Sequence, residues 1–170
     1  MKKINILILC LFSGASWASD VDNVKCIRVD SKDIERLFDR WNESLKTGDA
    51  KKVADNYLSD AILLPTVSKK IRITDAERVD YFEHFLKKKP VGEINFRTIR
   101  IGCNMALDTG NYTFTFEDKK QVSARYSFAY EWDGKDWKIS SHHSSVVPTT
   151  EPVYHSLLMP SLKSDRPSGH

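Results

Sequence analysis

Apolar residues recur at intervals of three and four through the first half of the chain and at intervals of two through the second. Over residues 31–47, Ile34, Leu37, Phe38, Trp41 and Leu45 form one stripe with charged residues opposite, which predicts an amphipathic helix. Ser31 is placed to cap its start and Gly48 to end it. Asp49 is placed to cap a shorter helix reaching about Leu58, with Val53, Ala54 and Tyr57 on one side. Residues 61–65 read as a short apolar strand closed by Pro65. Thr74-Asp75-Ala76-Glu77 has the form of a capping box and opens a third helix that turns Val79, Phe82, Phe85 and Leu86 inward. Lys87-Lys88-Lys89 suit its negative C-terminal end, and Pro90 stops it.

From Glu93 the pattern alternates over residues 94–101, 111–117, 123–132 and 137–145, with Asp118-Lys119-Lys120 and Asp133-Gly134-Lys135-Asp136 as turns. Helices first and hairpin-linked strands afterwards predict an α+β fold, with three N-terminal helices packed on one antiparallel sheet. One face of the sheet collects Tyr112, Phe114 and Phe116 with Ala124, Tyr126, Phe128, Tyr130 and Trp132; the other collects Thr113, Thr115, Arg125, Ser127 and Ala129. A face so dense in aromatics must be covered, by the helices or by a second subunit. The expectation adopted is a homodimer, or larger, built through Phe114, Tyr126, Phe128 and Tyr130. The polar face, with Arg125 among small residues, then reads as the lining of a ligand cavity. Its expected members are Arg97, Arg125, Thr113 and His142, with Trp41, Tyr57 and Tyr81 as apolar walls. Two guanidinium groups in a semi-enclosed space favour a carboxylate or phosphate ligand, or an internal acidic partner. The competing account pairs Arg125 with Glu117 or Glu131 across neighbouring strands.

Composition adds an address. Met1-Lys2-Lys3, the apolar run at 4–12 and the small residues Ser16 and Ala18 have the three-part layout of a secretory signal peptide cut after Ala18; a buried N-terminal helix is the competing account. The run is too short to span a bilayer, which needs about 20 residues. The expected layout is therefore a signal at 1–18, one domain at 19–148 and a Pro-rich tail at 149–170, in a periplasmic or secreted protein. Lys2 and Lys3 supply two of the three net positive charges, so the mature chain carries 24 basic against 23 acidic residues. Such a balance argues against a nucleic-acid binder. Cys10 leaves with the signal, and Cys26 and Cys103 remain. An oxidising compartment and an even count favour a disulfide over two buried thiols.

Catalytic signatures are mostly absent: no GxSxG, P-loop, GxGxxG or HExxH occurs, and no Cys/His spacing suggests zinc. No cofactor or metal is expected. His142 and His143 are adjacent on a strand and point to opposite faces, so at most one belongs to a pocket. His84 reads as a packed helix histidine. The sequons at Asn42 and Asn111 fall in a helix and at a strand start and read as chance.

Several spaced motifs together resemble a known family. Arg40-Trp41-Asn42 with Thr47-Gly48-Asp49, Leu63-Leu64-Pro65-Thr66, Tyr81-Phe82 with Phe85-Leu86, Asp133 to Ile139, then His142-His143-Ser144-Ser145 and Pro148 are similar to bacterial relatives of the calcium/calmodulin-dependent protein kinase II association domain. The resemblance covers residues 31–148. It implies the cystatin-like cone of the nuclear transport factor two superfamily, whose relatives include SnoaL-like cyclases, isomerases and pure oligomerisation modules. The chain departs from the kinase hubs in having no kinase domain and no calmodulin-binding helix. A pocket arginine of the hub falls on Ser144, and a second falls near Ser127. Two functions are compatible: a non-catalytic, oligomeric binding or assembly module, and a small pocket enzyme of isomerase, dehydratase or cyclase type. An enzyme of that type needs an acid/base group in its cavity. With Glu117 and Glu131 at strand ends and Asp55 and Asp60 at the rim, the module is the reading preferred.

Overall fold

The computed structural model describes residues 25–66 and 68–148; the expected signal and tail lie outside the described residues. Helix α1 spans Ser31–Lys46, α2 Ala50–Ala54 and α3 Asp75–Phe85, the last running into a 3-10 turn at Leu86–Lys88. The strands are β1 Tyr57–Leu64, β2 Val91–Ile101, β3 Met105–Thr115, β4 Gln121–Trp132 and β5 Trp137–Val146, forming one sheet in the order β1-β5-β4-β3-β2. Two features correct the expectation of three N-terminal helices on an antiparallel sheet. Helix α3 lies between β1 and β2, and β1 runs parallel to β5.

The α1 stripe forms as its spacing dictates, with Ile34, Phe38, Trp41 and Leu45 all buried. Its cap is Asp30 rather than Ser31. The Asp30 carboxylate accepts the Asp33 N–H at 2.9 Å while Asp33 returns an oxygen to the Asp30 N–H at 2.8 Å, a reciprocal pair that Ser31 could not make because the residue three places on is Ile34. Asp49 caps α2 as expected, but that helix ends at Ala54. The Asn56 side-chain amide donates to the carbonyls of Lys52 and Val53 at 3.0 and 3.1 Å, satisfying them and releasing Tyr57 into a strand.

Strand β1 bulges between Tyr57 and Ile62, which frees several carbonyls from the ladder. Arg78 of α3, with no exposed surface, collects them. Its guanidinium donates to Ala61 O at 2.7 Å and to Leu58 O and Ser59 O at 3.0 Å each. A second bulge interrupts β2 between Ile94 and Phe96, opposite the Asn111–Tyr112 step, and Gly110 pairs with Arg97 just past it. A Cβ on Gly110 would lie 1.9 Å from the Phe96 carbonyl oxygen, so only glycine fits. Past the bulge Phe96 faces outward and Arg97 turns inward.

The aromatic face of the sheet is the inside of the molecule. Phe114, Tyr126, Phe128 and Tyr130 are 6%, 3%, 0% and 1% exposed. They pack under α1, with the Trp41 and Phe128 ring centroids 5.3 Å apart and those of Phe38 and Phe128 6.0 Å apart. This overturns the expected subunit interface: the four side chains are already covered within one chain. Cys26 and Cys103 form a disulfide that ties the segment before α1 to the β2–β3 turn. Asn104 reinforces the junction by accepting the Ile27 N–H at 2.8 Å and donating to Lys25 O at 3.1 Å. Among the described residues no helix is long and apolar enough to cross a membrane.

Candidate functional site

A cavity of about 390 Å³ opens between α3, the end of β1 and the inner face of β3–β5. Its walls are apolar or aromatic: Trp41, Leu63, Phe82, Phe85, Phe114 and Phe116. Polar groups are concentrated in one cluster. Thr66 follows β1, Tyr112 comes from β3, and His142 and Ser144 come from β5. Tyr112 donates to Ser144 Oγ at 2.7 Å, and the Thr66 and Ser144 hydroxyls are hydrogen-bonded. The parallel pairing of β1 with β5 makes this meeting possible, because it carries Thr66 alongside the strand that holds Ser144.

His142 lies behind the hydroxyls, 4% exposed and stacked on Phe128 at a centroid distance of 3.9 Å. Burial, helped by the neighbouring His143, lowers its pKa to about 3, so the ring is neutral at physiological pH. Nδ1 lies 2.9 Å from Tyr57 Oη, and Nε2 lies 3.5 Å from Tyr112 Oη. The Trp41 indole donates to Tyr57 Oη at 3.1 Å. Burial raises the phenols of Tyr57 and Tyr112 well above the usual tyrosine range and pushes Tyr81 up to about 12. All three keep their protons.

No acidic side chain lines the cavity among the described residues, and its mouth carries Lys88 and His84. His84 donates from Nδ1 to the Asp80 carbonyl at 2.8 Å, which leaves Nε2 with its lone pair. Among the described residues, no three His, Cys, Asp or Glu side chains stand together where a metal ion could be held.

The expected site residues divide between two faces. His142, Trp41 and Tyr81 line the cavity, and Tyr57 touches it through His142. Arg125 does not: it is exposed on the outer face and donates to Val146 O at 3.4 Å. Thr113 is also on the outer face, bonded to Asn95 and Ser123. Both miss the cavity because the aromatic face, with the opposite phase along β3 and β4, is the concave one. Arg97 does turn inward, but its guanidinium meets an internal acid. It donates to Asp108 Oδ2 at 2.9 Å, while Tyr126 donates to Oδ1 at 2.9 Å. Asp108 has no exposed surface, and burial raises its carboxyl pKa against the opposing pull of Arg97 and Tyr126.

Sequence reasoning missed Thr66, Tyr112 and Ser144 as site residues. Ser144 follows His142 by two and so shares its face, and Tyr112 sits on the aromatic face; both were recoverable from alternation. Thr66 carries no local signal.

This cone of helices in a curved sheet, with its cavity at the open end, has recognisable relatives. The calcium/calmodulin-dependent protein kinase II association domain model matches residues 30–148. The chain is 46% identical to a Xanthomonas campestris protein assigned to that association domain, covering 72% of this chain and 91% of that one at a TM-score of 0.67. The protein described here belongs to the association domain family. It shares its fold with an NTF2-like protein of cystatin-like fold from Novosphingobium aromaticivorans (11% identity, 76% and 89% coverage, TM-score 0.61). The same holds for the iota-carbonic anhydrase of a cyanobacterium, solved with bicarbonate (19% identity, 72% and 94% coverage, TM-score 0.64). A comparison with curated proteins gives no match.

Proposed function

We propose that the cavity binds a small oxoanion, bicarbonate first among them, and interconverts it with carbon dioxide. The observation that carries this reading is the convergence of three neutral hydroxyls, Thr66, Tyr112 and Ser144, in an otherwise apolar cavity without a carboxylate. An apolar wall suits an uncharged gas, and hydroxyl donors suit the oxygens that gain charge when water adds to it. In the forward step the oxygen of a water held by Ser144 and Thr66 bonds to the carbon. One C=O electron pair moves onto oxygen beneath the hydroxyl proton that the Ser144–Thr66 pair leaves free, and the water's proton leaves towards the mouth. There His84, exposed at the mouth, accepts it and hands it to buffer. The bicarbonate in the cyanobacterial carbonic anhydrase supports this choice of ligand.

Stopped-flow measurement of carbon dioxide hydration tests the proposal, with carbon-13 NMR titration of bicarbonate alongside. Saturable turnover that falls about a hundredfold in Tyr112→Phe and Ser144→Ala is expected. The lack of an interior carboxylate base also favours a second reading, a binding module without chemistry; bicarbonate binding without turnover would select it. Neither binding nor turnover would remove both. We further infer an exported, self-associating protein. The Cys26–Cys103 bridge supports export, and exposed Phe96, Met105 and Leu107 favour a self-association surface on the outer face of the sheet.

A further inference from the structure

We propose that Trp41 and Tyr57 are positioning residues that fix His142 as its Nε2–H tautomer and thereby direct the whole hydroxyl chain towards the cavity. The closed end of the chain is the Trp41 indole, which can donate but not accept. It places its N–H on Tyr57 Oη at 3.1 Å. Tyr57 is buried, and among the described residues its oxygen has one further polar partner, His142 Nδ1 at 2.9 Å. Were Nδ1 to donate as well, the Tyr57 proton would be buried with no acceptor. Tyr57 therefore donates to Nδ1, and the neutral ring carries its proton on Nε2.

From there each step follows from the last. Nε2–H faces Tyr112 Oη, 3.5 Å away, and Tyr112 donates its own proton to Ser144 Oγ at 2.7 Å. Two hydroxyl protons remain, on Ser144 and Thr66. One bridges the pair and the other is left for the cavity. The opposite tautomer would reverse the chain and present lone pairs instead. A donor-only indole thus selects ligands that accept: carbonyl, carboxylate and bicarbonate oxygens rather than ammonium groups. The consequence for affinity rests on the oxoanion reading above, whereas the tautomer does not.

The test is a long-range nitrogen–proton correlation spectrum of the full chain labelled in histidine, at neutral pH, where burial keeps His142 uncharged. Wild type is expected to show Nε2–H for His142. Tyr57→Phe should give Nδ1–H or a mixture and weaken bicarbonate about tenfold. Trp41→Phe keeps the Tyr57 hydroxyl but frees its direction, and should also give a mixture; it carries the test if Tyr57→Phe does not fold. Tyr112→Phe should leave the tautomer unchanged. Nδ1–H in wild type overturns the inference whatever the protein binds, as does an unaltered Nε2–H tautomer in both Tyr57→Phe and Trp41→Phe. Nε2–H in a wild type that ignores bicarbonate overturns the ligand reading alone.

Discussion

Acid should unfold this protein through His142 in particular. Burial holds its folded pKa at about 3 against 6.5 for an ordinary histidine. Between those values the unfolded chain therefore carries one proton more than the folded chain. The stability that comes from keeping the ring neutral is whole above pH 6.5 and is lost as pH falls towards 3. From pH 7 to pH 5 the loss works out at about 2 kcal/mol, since each pH unit well below the unfolded pKa costs about 1.4 kcal/mol. With a urea dependence of about 2 kcal/mol per molar, the unfolding midpoint should drop by about 1 M. Urea titrations of wild type and His142→Gln at both pH values, with the disulfide intact, make the comparison. Asp108, whose raised carboxyl pKa contributes with the opposite sign, is common to both proteins and cancels. The variant is expected to be less stable at pH 7 but to lose less between pH 7 and pH 5. Equal losses in the two proteins would refute the assignment.

Thiol titration of the denatured, unreduced protein should find no free cysteine at 26 or 103, and Cys103→Ser should cost about 4–5 kcal/mol, because the bridge spans 77 residues; two reactive thiols in wild type would remove the bridge. Gly110→Ala should cost about 3 kcal/mol in denaturant unfolding, since its Cβ cannot coexist with the Phe96 carbonyl. A change within about 0.5 kcal/mol would mean that β2 can give up its bulge freely. In sedimentation, wild type should be a dimer or larger at micromolar concentration, and Phe96→Glu should shift it to monomer without unfolding it. A monomeric wild type would remove the outer-face assembly.

The local grammar of the chain was legible. The α1 stripe, the Thr74–Glu77 capping box, the Asp49 cap and three of the four alternating strands are short-range patterns that sit where their spacing placed them, whereas the strand expected at 111–117 begins already at Met105. Alternation also separated the two faces of β3 and β4 correctly. It could not say which face is concave, because a period of two is symmetric to inversion, and that one choice moved Arg125 and Thr113 out of the site. The inward turn of Arg97, which pairs with Gly110, follows from the β2 bulge between Ile94 and Phe96, and its partner Asp108 lies 11 residues away across a turn. Thr66 was out of reach for another reason: its neighbour Ser144 is 78 residues distant, and no local pattern announces a parallel strand pair.

That separation also orders events in time. Strand β1 is synthesised before every other strand, yet the strand it pairs with is the last of the five to emerge. The hairpins of β2 to β5 close over short loops and can form early, whereas seating β1 means closing a far longer loop. A nascent or truncated chain that stops before residue 137 can already bring Trp41 against Phe128, but it cannot bring Thr66 to Ser144. The hydroxyl cluster of the cavity therefore exists only in chains that have folded to the end of the sheet.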